Sequence, residues 1–492
     1  MKKILIMMIC LLMAVGAVAQ SAIRTPVVPR VMPDSVDLEY YGRKKPWQAA
    51  ATVVGLNLGV WTFDRFIQKG DFAYVTLNSI EDNFKHGFIW DNDQLGTNFF
   101  LHPYHGNLYF NSARSNGMNY WQSGLYAIGG SAMWEMFMEC EYPSTNDIIA
   151  TPIGGMAIGE VAFRASDIIL KDNSTGWERF GREAAAFVVS PMRGLTRIIN
   201  GDAWRKRATT GRLFGIPRVS IEFSAGMRWL EFRDEIFDTG TGAAAEVNIE
   251  YGDRFEIKSS QPYDYFRFRV ALNGHGSQPV LGQLNIMGRL IGREILDDKI
   301  RHLSVGMYQH FDYYDSDTIS DVSAKIPYKF CTPASVGCGL LYRQDMVKNW
   351  QFDAYLHANG LLLAGVLSDY YRVNDRNYNV ASGFGIKSGV HFVFREDKFS
   401  IGASHEFYRT FTWNGYPRDM DWSDYDPRTL DAQGDHSQAS FHVVEARADL
   451  RVWRKLYLTG AFALYVRNTN YRDYESVHST TSETRLMLTY KL

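Results

Sequence analysis

The chain has 492 residues, and its 52 Lys and Arg nearly balance 54 Asp and Glu, giving a net charge of −2. That balance and the lack of any basic block exclude a nucleic-acid partner held by charge. Aromatic residues make up 14% of the chain, with 42 Gly and 28 Tyr, a profile that suits a β-rich protein meeting a membrane interface better than a soluble enzyme.

The N-terminus reads as an export signal. Lys2 and Lys3 form a basic start, Ile4 to Val15 an apolar stretch too short to span a bilayer, and Ala17-Val18-Ala19 a small-residue cleavage site. Residues 1–19 are therefore expected to be a signal peptide, with a retained anchor helix as the alternative. Cys10 lies inside the apolar stretch rather than at the cleavage point, against lipoprotein attachment. Cys140, Cys331 and Cys338 then remain, an odd and sparse set that argues against a disulfide scaffold. Cys331 and Cys338 stand an odd number of positions apart, so on one regular strand they would face opposite sides.

An extended segment over 20–45 precedes a helical region over 46–200. Pro46 to Ile67 has the pattern of an amphipathic helix, although its Thr-Val-Val and glycines also permit a strand. Trp121 to Glu139 reads as a helix. Thr151-Pro152 has the form of an N-cap and first-turn pair opening a helix through Ile169. A further helix runs from Glu178 to Val189, after which Pro191 and Gly194 punctuate the chain. Arg205, Lys206, Arg207 and Arg212 form a basic linker over 201–217, read as a solvated connector, with contact to anionic headgroups as the alternative.

From residue 218 to 492 the period changes to two. In "VEARADLRV", Val444, Ala446, Ala448, Leu450 and Val452 alternate with Glu445, Arg447, Asp449 and Arg451. The same alternation runs through "VSIEFSAGMRW", "FRFRVAL" and "RLMLTYKL", the marks of half-buried strands. A soluble sandwich and a membrane barrel share this pattern. Connection lengths favour the barrel. Short turns at Arg395–Lys398, Trp453–Lys455 and Gln344–Asn349 take turns with long polar loops, as periplasmic turns and extracellular loops do, and about twelve strands is an even number. The last strand carries Tyr490 but ends in Leu492 rather than Phe, a departure from the usual barrel-assembly signal. The expected fold class is α+β: a small helical domain followed by an antiparallel transmembrane β-barrel of about twelve strands, in the cell outer membrane.

Three readings compete for the polar residues of the helical region. Ser123, Ala127, Ser131, Glu135 and Glu139 line one helix face at i, i+4 spacing. A structural network would pair Arg114 or Arg164 with Glu135 or Glu139, alongside Ser131 and a Glu160–Arg164 i, i+4 pair. A catalytic reading takes His102 or His105 as base, Ser112 or Ser115 as nucleophile and Glu135 as the orienting group, but no G-x-S-x-G elbow accompanies them. A metal reading would use the two histidines and two glutamates. No H-E-x-x-H motif and no Cys pair support it, so no metal and no cofactor are expected.

The runs "FLHPYHGNLYFNSARSNGMNYWQS" and "GGSAMWEMFMECEYPSTNDIIATPIGGMAIGEVAFR" resemble domain-of-unknown-function family 3943 of Gram-negative bacteria, over roughly residues 80 to 200. That resemblance implies an envelope protein and carries no activity with it. The fragment from Glu135 through Asp147-Ile148-Ile149 to Gly155 and Gly159 is also similar to a pattern of VanZ-like membrane proteins, which implies a compact helix pair. The expected role is structural, transport or envelope-associated, with the helical domain plugging or capping the periplasmic mouth. An outer-membrane enzyme acting on lipid or lipopolysaccharide is the alternative. Expected partners are outer-membrane lipid, the barrel-assembly machinery and a small-molecule or lipid ligand, with no nucleic acid.

Overall fold

The computed structural model describes residues 40, 42–232, 240–257, 261–319, 325–345, 349–371, 376–395, 397–416, 418 and 431–492. The expected signal peptide lies outside the described residues. The chain divides into two compact units, one holding the residues up to Ile89 together with Leu101–Pro217, the other Trp90–Phe100 together with Arg218–Leu492.

Seven α-helices are described in the first unit: α1 (Pro46–Phe63), α2 (Leu77–His86), α3 (His102–Arg114), α4 (Tyr120–Phe137), α5 (Asp147–Ile169), α6 (Gly176–Val189) and α7 (Pro191–Ile199). Pro46 at the first turn starts α1 as a helix despite its Thr-Val-Val. Asn119 accepts from the Gln122 amide while the Gln122 side chain accepts from the Asn119 amide, a capping box that fixes the start of α4. Two expected boundaries move. The α5 helix begins at Asp147, a turn before Thr151, and carries Pro152 inside it. Pro191 opens α7 rather than ending a helix, and Gly194 lies within α7 because its bare Cα packs on Phe187. The α5 helix alone among the described residues is long and apolar enough to cross a bilayer, yet 61% of that stretch is buried inside the protein. With Glu160, Arg164 and Asp167 buried along it, it is the core helix of this unit.

Glycines set the distance between α3 and α5. A Cβ on Gly106 would overlap the Thr151 carbonyl oxygen, and one on Gly155 would overlap the backbone of Gly106. Gly159 gives room to the Phe110 ring and Gly130 of α4 to Tyr109. The basic linker is only partly solvated. Arg205 and Lys206 are exposed, whereas Arg207 lies over the Tyr40 ring and Arg212 donates to the Ile168 carbonyl at 3.0 Å.

In the second unit twelve antiparallel strands close into a barrel. They are β1 (Val219–Phe232), β2 (Gly240–Tyr251), β3 (Phe266–Gly274), β4 (Leu281–Asp297), β5 (Arg301–Asp315), β6 (Lys329–Asp345), β7 (Trp350–Leu367), β8 (Tyr378–Phe394), β9 (Phe399–Phe411), β10 (Ser437–Trp453), β11 (Leu456–Tyr471) and β12 (Val477–Lys491). Each strand pairs with its chain neighbour, and β12 pairs with β1, for instance Ala225 opposite Leu488, so no edge is left open. Gly415–Tyr416 and Gly434–Asp435 form a small parallel pair within the β9–β10 connection.

Outward-facing positions are greasy and exposed: Leu450, Leu458, Leu486 and Leu488 are 39–53% accessible. Their alternates, such as Arg447, Asp449, Glu483 and Arg485, face the lumen. Such a surface matches a hydrocarbon solvent and not a soluble core. The start of β1 and the end of β12 share one end, where the Leu492 amide donates to the Ile221 carbonyl, and the short turns after β4, β6, β8 and β10 lie there too.

One connection departs from the short–long rhythm. Gly252–Tyr265, at the short-turn end, is longer than His275–Val280 at the other. Its described residues are tied to Arg289 of β4, which donates to the carbonyls of Arg254 (2.8 Å) and Glu256 (3.0 Å) and to Asp264 (2.7 Å). The cysteines also differ from expectation. Register shifts at Cys331/Ala334 and Ala334/Ser335 change the parity of β6, so Cys331 opposite Tyr313 and Cys338 opposite Met307 both face outward. Neither is in a disulfide, and the Cys140 thiol donates to the Asp71 carbonyl at 3.5 Å.

Trp90–Phe100 docks on the outer wall at the long-loop end. Asn98 donates to the Tyr378 hydroxyl at 2.7 Å, Phe99 meets the same ring edge-on at 5.4 Å, and Arg376 donates to the Asp91 carbonyl at 2.7 Å.

Because Gly106 has no room for a side chain, Gly106→Val should destabilise the helical unit by the upper part of the roughly 1–3 kcal/mol of overpacking. Limited proteolysis should then cut within residues 42–217 while the barrel keeps its faster migration on unheated gels. Unchanged protease resistance would contradict the close α3–α5 crossing.

Candidate functional site

The polar residues singled out in the helical region are brought together in a different pairing. Glu160, fully buried, accepts from Arg114 Nε at 2.7 Å and Nη2 at 2.9 Å, and from Arg164 Nε at 2.9 Å. Both arginines thus serve Glu160 and not Glu135 or Glu139. Burial pushes the Glu160 carboxyl up, but the two guanidinium groups outweigh it and hold the group below its usual range. Glu135 instead accepts from the Ser144 amide at 2.8 Å, just before α5. Glu139 accepts from the Trp134 indole at 3.2 Å, and the Ser131 hydroxyl donates to the Asp147 carbonyl at 3.4 Å.

The catalytic candidates make other contacts. The Ser112 hydroxyl is buried and donates to the Leu108 carbonyl one turn back, at 2.8 Å. His102 faces Asp147 at 3.7 Å. His105 stacks on Tyr109 with ring centroids 4.6 Å apart and meets Trp134 edge-on at 5.2 Å. Burial, with a smaller contribution from His102, lowers the His105 pKa to about 3, so this ring packs as a neutral aromatic and is a poor base. Among the described residues no group of three or more His, Cys, Asp or Glu side chains is placed to hold a metal ion.

A second arginine–carboxylate network in this unit was not foreseen. Arg193 pairs with Asp167 at 2.5 Å, and Arg197 with Asp172 at 2.6 Å and Glu183 at 2.9 Å. Both Arg residues lie on α7, while Asp167 is on α5, Asp172 follows it and Glu183 is on α6, so no local spacing in sequence joins them.

The most concentrated chemistry lies in the barrel lumen. Glu246 of β2, 2% exposed, receives Arg447 at 2.8 Å, Arg269 at 3.0 Å and Arg485 at 3.0 Å. Arg485 and Arg228 share Glu483, at 2.6 and 2.9 Å. Arg269 of β3 also reaches Glu445 of β10 at 2.7 Å, an ion pair between strands five apart around the barrel on one side of the closed sheet. Lys387 of β8 reaches Asp312 of β5 at 2.6 Å, and the Tyr314 hydroxyl donates to Glu406 of β9 at 2.7 Å. The pairs between distant strands, such as Arg269–Glu445 and Lys387–Asp312, cross the lumen and brace it.

Toward the long-loop end the lumen is filled by rings. Tyr328 stacks on Tyr465 at 4.2 Å, Phe330 lies 4.3 Å from Tyr408 and 5.2 Å from Phe441, and Tyr314 meets Phe441 at 5.8 Å. The connection after β5 folds over them, where the Ser479 hydroxyl donates to the Pro327 carbonyl at 2.9 Å. Toward the short-turn end a cavity of about 320 Å³ remains, reaching from Ser220 and Lys491 to His310, His357 and Lys387. These lumen residues come from strands throughout the sheet, so no local motif announces them.

Residues 87–192 match the family described as "Domain of unknown function (DUF3943)", over the stretch whose glycines and Glu160 pack α3 against α5. No curated protein matches the sequence. Similar solved structures include the NanC porin (7% identity, 56% of this chain and 100% of that one, TM-score 0.26). The Pseudomonas putida toluene transporter TodX is another (8% identity, 56% and 89%, TM-score 0.23), as is the KdgM porin (9% identity, 55% and 98%, TM-score 0.23). The outer-membrane type of the barrel stands on its own closed sheet and apolar exterior.

Two outcomes follow from these sites. His105 ordinarily titrates near 6.5 and in the fold only near 3. Above 6.5 both folded and unfolded chains hold it neutral and its contribution is complete; between 6.5 and 3 only the unfolded chain takes the proton. Stability of the helical unit should therefore fall by roughly 1 kcal/mol per pH unit across that window, and His105→Phe should flatten the slope in pH-dependent denaturant titrations. An unchanged slope would show that His105 is not held neutral. In the barrel, Glu246→Gln leaves three buried guanidinium groups short of one charge, a loss on the order of 3–5 kcal/mol. The temperature at which the compact gel band disappears should drop clearly; an unaltered temperature would contradict a central role for Glu246.

Proposed function

We propose that this protein is an outer-membrane barrel with a structural, envelope-associated role, closed to free diffusion and serving to anchor its helical unit at the membrane. The observation that carries the reading is the filled lumen. Rings from β5, β6, β9, β10 and β11 pack against one another at the long-loop end, and ion pairs between distant strands brace the rest. A diffusion pore keeps a wetted path along its axis; here the path ends on Phe330, Phe441 and Tyr465. Closure therefore comes from the barrel's own side chains and does not require the helical unit as a plug at the periplasmic mouth. Location in the outer membrane is supported by the exposed aliphatic belt and by the chain ends and short turns sharing one end. The enzymatic alternative has less support, since Ser112 and His105 are both committed to packing and internal hydrogen bonds.

The test is electrical. In planar bilayers the purified full chain should show no steady ohmic conductance. A variant with Phe330→Ala, Phe441→Ala and Tyr465→Ala, verified as folded by its gel shift, should open measurable steps. A stable open level in the unaltered protein would overturn the proposal.

A further inference from the structure

Two helices of the helical unit are sorted against the rule for a water-facing helix. On α7 the polar side chains turn inward: Arg193, Thr196 and Arg197 are 2–5% exposed, while Leu195, Ile198 and Ile199 point out, the last of them 60% exposed. A helix at a protein–water boundary shows the opposite arrangement. The α1 helix has no charged side chain in its 18 residues. It turns Trp47, Val54, Leu58 and Phe63 outward, with Trp47 86% exposed.

Between the two helices runs a groove of about 610 Å³, lined by Leu56, Val60 and Phe63 of α1 and by Met192, Leu195 and Ile199 of α7. Its α1 wall is flat at Gly55 and Gly59, where nothing lies within 4 Å of the place a Cβ would take. The polar side chains at its edge are already engaged. The Thr52 hydroxyl donates to the Gln48 carbonyl at 2.6 Å, and the Gln48 amide donates to the Asn200 side chain at 2.8 Å. The groove therefore suits hydrocarbon better than a hydrogen-bonding ligand.

That Gln48–Asn200 bond also joins the start of α1 to the end of α7, and the chain around it is basic and aromatic. Arg43, Lys44, Arg205 and Lys206 are exposed there, as are Trp47 and Trp204. The one acid within residues 42–48 and 198–207 is Asp202, which is buried and accepts from the Tyr40 hydroxyl at 3.0 Å. An apolar face rimmed by tryptophan and uncompensated basic residues complements acyl chains beneath anionic headgroups. A bilayer is within reach, because residue 219 already begins a membrane strand.

We infer that the α1–α7 face lies in the interfacial layer of an anionic phospholipid bilayer, its groove taking acyl chains and its basic rim lying among the headgroups. The helical unit then holds its own place on the membrane, resting on it without spanning it. This goes beyond the reading of the barrel as the anchor and does not depend on whether the lumen is closed.

The test uses the full chain reconstituted in vesicles of phosphatidylcholine and phosphatidylglycerol. The photoreactive residue p-benzoylphenylalanine replaces Leu58 or Ile198, or, as a control, the exposed Glu81 of α2. Irradiation should give phospholipid adducts, read by mass, at Leu58 and Ile198 and severalfold less at Glu81. The pair Lys44→Glu with Lys206→Glu should cut those adducts severalfold, and so should vesicles without phosphatidylglycerol. Should a labelled chain lose the protease resistance of residues 42–217, the label at Val54 reads the same face. Adducts to a second copy of the chain, lipid yields no higher than at Glu81, or yields indifferent to both changes of charge overturn the inference. No current is measured, so failure here leaves the closed lumen to be judged on its own.

Discussion

A charged side chain on a membrane barrel has one affordable direction, inward, and once there it must find an opposite charge. That constraint organises the lumen around Glu246, whose carboxylate draws guanidinium groups from β3, β10 and β12 into one web. Burying a lone ion costs several kcal/mol, and good geometry with further hydrogen bonds is needed to recover it. The web meets that condition by sharing: Arg485 divides itself between Glu246 and Glu483, and Arg447 between Glu246, Glu222 and Asp449. Where the partners sit on strands that are not neighbours, as in Arg447–Glu246 and Arg269–Glu445, the pairs tie the cylinder across its width. They also leave the interior too crowded for a wide channel, and the aromatic cluster at the long-loop end completes the closure.

The helical unit solves the same problem on a smaller scale. Glu160 lies inside it only because Arg114 and Arg164 both reach it, and both can reach it only because α3 and α5 approach backbone to backbone through Gly106 and Gly155. Small residues and a buried ion cluster are thus one device. The Gly-rich stretches that carry the family likeness are read most directly as the geometry of this crossing. They need no reacting group.

The barrel was legible because a period of two with one charged face survives any choice of register, and because long and short connections alternate. What the sequence concealed has identifiable causes. Register shifts in β6 turn Cys338 to the same side as Cys331, which no count of positions reveals. Proline signalled a helix start at Thr151-Pro152, but Pro152 lies near the start of α5, where its missing N–H forgoes only the bond to the Ile148 carbonyl and the helix runs through it. Arg114 was set against the wrong glutamates because choosing among Glu135, Glu139 and Glu160 requires knowing how α3 lies on α5. The lumen floor was missed altogether. Its one available signal was that His310 in "MYQHFDYYD" and His357 in "AYLHANG" fall on the inward face of long strands; joining them requires the order of strands around the barrel.

The central claim is the inside-out sorting of this cylinder, with aliphatic residues meeting lipid and the ion web sealed within. Site-directed spin labels measure it most directly, by comparing relaxation with dissolved oxygen, which partitions into lipid, and with a water-soluble nickel chelate. Labels at Leu450, Leu458 and Leu488 in reconstituted vesicles should respond strongly to oxygen and weakly to nickel, while one at Thr459, buried in the lumen wall, should respond weakly to both. Greater nickel than oxygen access at the three leucine positions would contradict the account.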